Sequence, residues 1–162
     1  ADRKQWELVE NQRGITYYKL FGPYLAGAKK IVVEDAYVRK PYQLRNLAEF
    51  LEMLLRCKKP DEDVAVHLVT GHNDPGFVEA QLNGLNELAS AFSQLGVNLT
   101  YEFRDTLHDR SITSDTGWEI LPGRGLDIFQ KIVDGDWLNP LLRHQQLRRV
   151  KECKVTYRRI ER

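Results

Sequence analysis

The strongest constraint on the fold is a helix pattern, PYQLRNLAEFLEMLLRC, that stands between two short apolar segments. Residues 41–57 carry Leu and Phe at three- and four-residue spacing, which places these side chains on one face of a helix, and Pro41 suits its first turn. The flanking segments AKKIVVEDAYV (28–38) and DVAVHLVTGH (63–72) are short and rich in β-branched residues, as strands are. Because two strands joined by a helix lie parallel in one sheet, this part of the chain predicts a layered α/β fold.

The same alternation continues through the middle of the chain. Asp74 is placed to cap a second helix with Pro75 in its first turn, and apolar positions recur through residues 78–92 until Gly96 ends the helix. VNLTYEF (97–103) then alternates apolar and polar residues, which predicts a half-buried strand.

Further segments before and after this region also predict strands. GITYYKLFGPYL (14–25) begins with β-branched and aromatic residues and stops at a Gly-Pro pair, which favours a strand followed by a turn. Ile31–Val33 predicts an inner strand that is buried on both faces. After residue 106 the pattern predicts hairpins, and CKVTYR (153–158) predicts a last strand with a basic outer face. We therefore expect a single α/β domain with a mixed β-sheet flanked by helices.

Composition bounds the class of protein. With 162 residues and 42% apolar content the chain can bury a sizeable core, and no run approaches the ~20 apolar residues of a membrane span. It opens ADRKQWELVE, without a secretory leader or an initiator Met, so we expect residues 1–162 to be one module of a longer protein. Cys57 and Cys153 stand far apart without a CxxC or Cys/His pattern, which favours a reducing, cytoplasmic compartment. Neither a metal nor a cofactor is predicted, since zinc-ligand spacing, a P-loop and GxGxxG are absent.

Positive charge is concentrated at the end of the chain. Eight of the 24 Lys and Arg residues but two of the 23 Asp and Glu residues lie in 143–162, which gives that segment a net charge of +6 and the remainder −5. The candidate contacts for an anionic partner are Arg148, Arg149, Lys151, Lys154, Arg158 and Arg159. The pattern is typical of contact with anionic phospholipid, nucleic acid or an acidic protein, and a solvated strand and tail is the alternative.

The stretch LHDRSITSDTGWEI (107–120) carries the residues best suited to chemistry. On a strand, His108 and Arg110 project from one side and Asp109 from the other, while Asp115 lies in the following turn and can fold back. An imidazole can attack phosphorus or carry a proton, a guanidinium can hold phosphate oxygens, and a carboxylate can orient the imidazole. The alternative is a hydrogen-bonded surface histidine, with the arginine in an ion pair with Asp109, Asp115 or Asp127.

Three further positions are candidate ligands for phosphate. Arg124 stands in the glycine-flanked loop GRGLD, and Tyr37 follows the polar end of the inner strand with Glu34 and Asp35. His72 lies between the end of a strand and the start of a helix, where anions tend to bind in open α/β sheets. For His72, the alternative is turn formation and helix capping. For Glu34, Asp35 and Tyr37, the alternative is that they are loop residues that pair with Arg39 or Lys40.

The motif H-x-R-x₄-D resembles the H-x-K-x₄-D signature of the phospholipase D superfamily, with Arg110 in place of the lysine. Members of that superfamily use the histidine of the motif as a nucleophile, and members with a single motif pair two chains to complete one site. The resemblance therefore implies that His108 is a nucleophile and that two copies of the chain form one site. The G-[GS]-x-N element of the superfamily is absent, and GRGLD stands roughly in its place.

A narrower resemblance covers most of the chain and rests on several separated motifs. These are, in order, QWELVENQRGITYYKLFGPYLAGAKKIVVEDAYVR, HLVT, LGVNLTYEF, HDR, GRGLD and ECKVTYR. Together they resemble the C-terminal phospholipase D-like domain of MIT-domain proteins, the MIT_C family. The resemblance implies a homodimer that binds acidic phospholipid without catalysis, attached to an MIT domain or, in bacterial relatives, to an ATPase-type protein.

These observations lead to three functional expectations. The first is a binding and targeting module in which Arg110, Arg124 and the basic end contact phosphates of an acidic membrane or nucleic acid, with peripheral membrane attachment. The second is a metal-independent phosphodiesterase, a nuclease or phospholipase, that uses His108 as nucleophile, Arg110 to stabilise charge and Asp115 as the orienting acid. The third is a passive scaffold for a larger ATPase-type protein.

Overall fold

The computed structural model describes residues 4–132 and 138–160 of the chain. The strands and helices follow in the order β1 (Gln5–Leu8), α1 (Tyr17–Leu25), β2 (Lys30–Glu34), α2 (Pro41–Cys57), β3 (Val64–Thr70), α3 (Val78–Ser93), β4 (Val97–Phe103), β5 (Ser111–Ser114), β6 (Trp118–Pro122), α4 (Pro140–Arg143) and β7 (Cys153–Arg159). A single turn of 3₁₀-helix, Pro75–Phe77, leads into α3.

The described strands form one mixed sheet of seven, in the spatial order β1-β7-β6-β5-β2-β3-β4. β2, β3 and β4 are parallel, as expected for strands connected by α2 and α3. β5 pairs antiparallel with β2 and with β6, and β7 lies antiparallel between β6 and β1. The predicted α/β class with a mixed sheet is confirmed, and β2 is the strand at which the parallel and antiparallel halves meet.

The helices α1, α2 and α3 pack side by side on one face of the sheet. Their buried side chains form one core with alternate strand residues such as Ile31, Val33 and Val66, each no more than 1% exposed. Val32, between the first two, is 38% exposed. The expectation that β2 is buried on both faces is therefore wrong, because in the described part of the chain only one face carries helices. We call the other surface the open face.

Residues 14–25 contain a helix where the sequence predicted a strand. The Thr16 hydroxyl caps α1 by accepting a hydrogen bond from the N–H of Lys19 at 3.1 Å. The aromatic residues that favoured a strand recur at three- and four-residue spacing with leucines, and this places Tyr17, Phe21 and Tyr24 in the core. Pro23 lies in the last turn of the helix, so it leaves most of the helical hydrogen bonds intact.

Aromatic rings connect the helices to the segment after β6. The Tyr17 ring lies 5.6 Å from Phe21 and 5.6 Å from Phe129, and Phe50 of α2 packs edge-on against Phe21 at 6.0 Å. The Tyr17 hydroxyl donates a hydrogen bond to the carbonyl of Leu126. This cluster fixes α1 and α2 against the loop that closes the candidate site.

The aromatic cluster predicts a large difference between two Phe→Ala substitutions. Phe50→Ala should lower the free energy of unfolding by about 3–5 kcal/mol, because Phe50 is 0% exposed and its removal leaves a cavity. Phe77→Ala, at a position that is 60% exposed, should cost less than about 1 kcal/mol. Urea unfolding of both variants measures the difference, and equal costs would contradict this packing.

Candidate functional site

His108 and Arg110 lie in the irregular segment that leads into β5, and both line one open cavity of about 760 Å³. The prediction that they stand on a strand is wrong, since β5 begins at Ser111. Asp109 lines the same cavity instead of facing away, because side chains in a loop do not alternate as they do on a strand. The imidazole and the guanidinium nevertheless share one cavity.

The cavity is built from the ends of several strands. Glu34 and Tyr37 come from the end of β2, Glu119 and Leu121 from β6, and Arg158 from β7. An ion pair joins Arg158 to Glu119, and Glu34 lies 3.8 Å from a guanidinium nitrogen of Arg104. Two of the acidic side chains in the wall are thus neutralised by arginines beside them.

Asp35 is the residue that holds Arg110 in place. Its carboxylate is 3% exposed and accepts hydrogen bonds from the N–H groups of Tyr37 at 3.0 Å and Leu126 at 3.1 Å. The Nε of Arg110 lies 3.9 Å from the same carboxylate. Burial raises the pKa of Asp35, and the two backbone N–H groups and Arg110 act in the opposite direction.

The sequence offered Asp109, Asp115 and Asp127 as partners of Arg110, and it named Asp35 only as a residue at the strand end. The only available signal was the position of Asp35 directly after the apolar run of β2, where a polar residue meets a sheet edge. The guanidinium of Arg110 also lies over the ring of Tyr37, 5.1 Å from its centroid. Asp35 and Tyr37 therefore position Arg110 from two sides.

The GRGLD loop closes over Asp35. Gly125 has a φ of 64°, and a Cβ at this position would collide with the Asp35 carboxylate. Arg124 points along the surface toward β7, where its Nε donates to the carbonyl of Glu152 at 2.8 Å. Arg124 is not among the described residues that line the cavity with Arg110, so its role as a phosphate ligand stays a prediction.

Asp115 does not join His108. It lies beyond the opposite end of β5, where its carboxylate accepts a hydrogen bond from the N–H of Lys29 at 3.0 Å, just before β2. The prediction that Asp115 folds back to orient the imidazole is wrong. The spacing of the motif places a whole strand between the two side chains, and a strand is too rigid to bring its ends together.

His72 has a local role at the end of β3. Its Nδ1 lies 3.0 Å from Asp105, its N–H donates to the same carboxylate at 2.9 Å, and its ring stacks on Phe103. The backbone N–H of His72, followed by its side chain, lowers the pKa of Asp105. His72 is not among the described residues that line the cavity with His108, and its role as a phosphate ligand stays a prediction.

The basic end is mostly engaged within the domain. Arg148, expected at the surface, is 7% exposed, lies 3.4 Å from Glu49 and covers the ring of Phe129. Lys151 forms an ion pair with Asp127 at 3.0 Å. Burial lowers the pKa of Arg148 and raises the pKa of Glu49. The prediction of a surface role is therefore wrong for Arg148.

The remaining basic residues lie at or near the surface. Arg159 covers the ring of Trp118, and Arg149 and Lys154 are exposed. Within the described residues, no cluster of three or more His, Cys, Asp or Glu side chains is arranged to hold a metal ion. No helix in this part of the chain is long and apolar enough to cross a membrane.

The raised pKa of Asp35 predicts a pH dependence of stability. A carboxyl group with a raised folded-state pKa favours the folded state most when it is protonated, so its contribution falls as pH rises from the ordinary value of 3.8 through the folded-state pKa. Asp35→Asn removes this ionisation. We expect the stability of the variant relative to the wild type to rise with pH over that window in urea unfolding, while Asp109→Asn, at an exposed position, should follow the wild type. A pH-independent difference for Asp35→Asn would contradict the assignment.

The sequence comparisons agree with this architecture. The chain is 38% identical over 130 residues to MIT domain-containing protein 1 of Mus musculus, and the match covers 79% of this chain and 51% of the mouse protein. The chain thus spans about half the length of this curated relative. Residues 14–159 match the model of the family described as the phospholipase D-like domain at the C-terminus of MIT. The chain therefore belongs to the MIT_C family.

Proposed function

We propose that this domain is a binding and targeting module that engages a phosphate-bearing ligand through the cavity lined by His108 and Arg110. The observation that carries the proposal is the environment of Arg110, which Asp35 and Tyr37 hold at the wall of an open cavity. Among the described residues, no hydrogen bond occupies the terminal nitrogens of its guanidinium. A planar guanidinium with free donors suits phosphate oxygens, and an arginine that is already positioned loses less conformational entropy on binding.

The position of Asp115 favours binding over catalysis. A phosphohistidine mechanism needs an oriented imidazole, and the acid that the sequence assigned to that task is bonded to the N–H of Lys29 instead. His108 is exposed at the cavity wall. Its imidazole can therefore donate a hydrogen bond to a phosphate without becoming a nucleophile.

An acidic membrane is the ligand that the surface around the cavity favours. Arg158 lines the cavity, and Lys154 lies four residues earlier on the exposed side of β7. Each Lys or Arg beside an anionic surface contributes about 1 kcal/mol, so a few are enough for salt-sensitive attachment. A homodimer would present two such surfaces and raise the overall affinity through avidity. In the parent protein we propose that further domains accompany this module, as the name of the mouse relative indicates for that protein.

Substitution of Arg110 tests the binding proposal. Arg110→Gln should weaken binding to vesicles containing phosphatidylserine by about tenfold or more at low salt, because a charge-assisted bond is lost. Arg56→Gln is the matched control, since Arg56 also lies over a tyrosine ring, at 3.7 Å from the centroid of Tyr18, but on α2. Vesicle co-sedimentation measures both variants, and single-stranded DNA provides a parallel arm. Undetectable binding in both arms, or equal loss in the two variants, would overturn the proposal.

Among the described residues, Asp115 does not orient His108, and this predicts a second result. In the presence of EDTA, the wild-type domain should hydrolyse bis(p-nitrophenyl) phosphate no faster than the His108→Ala variant. Hydrolysis that survives EDTA and disappears in His108→Ala would replace the binding module with a metal-independent phosphodiesterase. Circular dichroism of the same two proteins keeps this outcome separate from misfolding.

A further inference from the structure

A second surface, on the helical side of the domain, forms an elongated groove. Three cavities of about 520, 20 and 290 Å³ follow one another along it, and Lys131 and Ile132 line all three. One wall is the start of α2, from Lys40 to Glu49, and the groove extends from Phe77 at one end to Arg149 at the other. We call this surface the basic groove.

Among the described residues that line the basic groove, cations outnumber acids. Its cations are Arg13, Lys40, Arg45, Lys131, Arg148 and Arg149. Its acids among the described residues are Glu49, which lies 3.4 Å from Arg148, Asp127, which is paired with Lys151 at 3.0 Å, and Asp74. Even with Arg45 left out of the count, the described residues carry an excess of positive charge, and that excess favours an anionic occupant.

Apolar side chains are exposed at both ends of the groove. Phe77 is 60% exposed at one end, and Leu141 and Leu142 are 52% and 36% exposed at the other. Exposed apolar side chains at the ends of a concave, charged surface are typical of a contact site. The occupant must therefore carry apolar groups as well as negative charge.

Arg148 forms part of the floor of the groove. Its side chain is 8% exposed, and its Nε is buried without a hydrogen-bond partner among the described residues. A buried donor in this state increases the positive potential at the floor, because Glu49 and the carbonyl of Gln130 satisfy only its terminal nitrogens.

We propose that the basic groove binds an acidic peptide segment that carries apolar side chains. A single lipid headgroup would fill one of the three cavities, whereas the cations and the exposed apolar side chains are spread along all of them. An extended segment can place carboxylates beside Lys131 and Arg149 and apolar side chains beside Phe77 and Leu141. This site is separate from the cavity of Arg110 and goes beyond the function proposed for it.

Selection from a random dodecapeptide phage library, followed by fluorescence anisotropy with a synthetic selected peptide, tests the proposal. Selected sequences should combine two or more Asp or Glu residues with Leu, Ile or Phe. Lys131→Glu combined with Arg149→Glu should weaken binding of the peptide by about tenfold or more, and binding should fall with added salt. Both positions are exposed, so the double variant should fold normally, which circular dichroism verifies.

Two controls separate this site from the other surfaces. Arg56→Glu combined with Lys154→Glu makes the same charge change at exposed positions outside the groove and should retain peptide binding. Arg110→Gln should also retain it, so failure of one proposal does not imply failure of the other. The proposal is overturned when the selection enriches no acidic peptide, or when the groove variant binds the selected peptide as tightly as the wild type does. In a third outcome, no acidic peptide is selected and the groove variant loses binding to phosphatidylserine vesicles. That result assigns the groove to a membrane instead.

Discussion

The buried carboxylate of Asp35 connects the two halves of the sheet at the point where function is proposed. It lies just beyond β2, bonds to the N–H of Leu126 in the loop after β6, and faces Arg110 just before β5. Burial of a carboxylate is unfavourable unless hydrogen bonds and an opposite charge compensate it, and these three segments supply the compensation together. The shape of the cavity therefore depends on one ionisable group, and Gly125 is required because any larger residue would displace it.

The helices on one face of the sheet give the domain two different surfaces. On the open face, polar and charged side chains pair across strands, as His67 does with Glu102 at 2.8 Å, and the cavity of His108 and Arg110 opens beside them. On the helical side, the start of α2 and the segments after β6 form the basic groove. The two proposed sites therefore lie on different surfaces, so a phosphate-bearing ligand at one would not compete with a peptide at the other, as would suit a module that brings other components together.

Membership of the MIT_C family and the geometry of the site bear on function in different ways. The family assignment fixes the phospholipase D-like architecture, but a fold does not determine whether its site is catalytic. That question turns on local geometry. The arginine of the motif is positioned by Asp35, whereas Asp115 is committed to the N–H of Lys29 at the other end of β5.

Local patterns in the sequence determined much of this protein. The apolar stripe of α2, the short β-branched strands on either side and the alternation of β4 and β7 predicted the α/β class, because each pattern is set by contacts within a few residues. The same reasoning failed for α1, where aromatic residues fit a helix or a strand equally well and the core selected the helix.

Only the tertiary structure decided which charges face solvent and which face each other. Asp35 and Arg110 are separated by 75 positions, and the pairing of β2 with β5 brings them together. Arg148 lies in the most basic part of the chain, yet it is buried against Glu49. Such pairs depend on strand order and helix packing, so no spacing along the sequence encodes them. The sequence placed His108 and Arg110 at a candidate site, and the fold supplied Asp35, the carboxylate that orients Arg110.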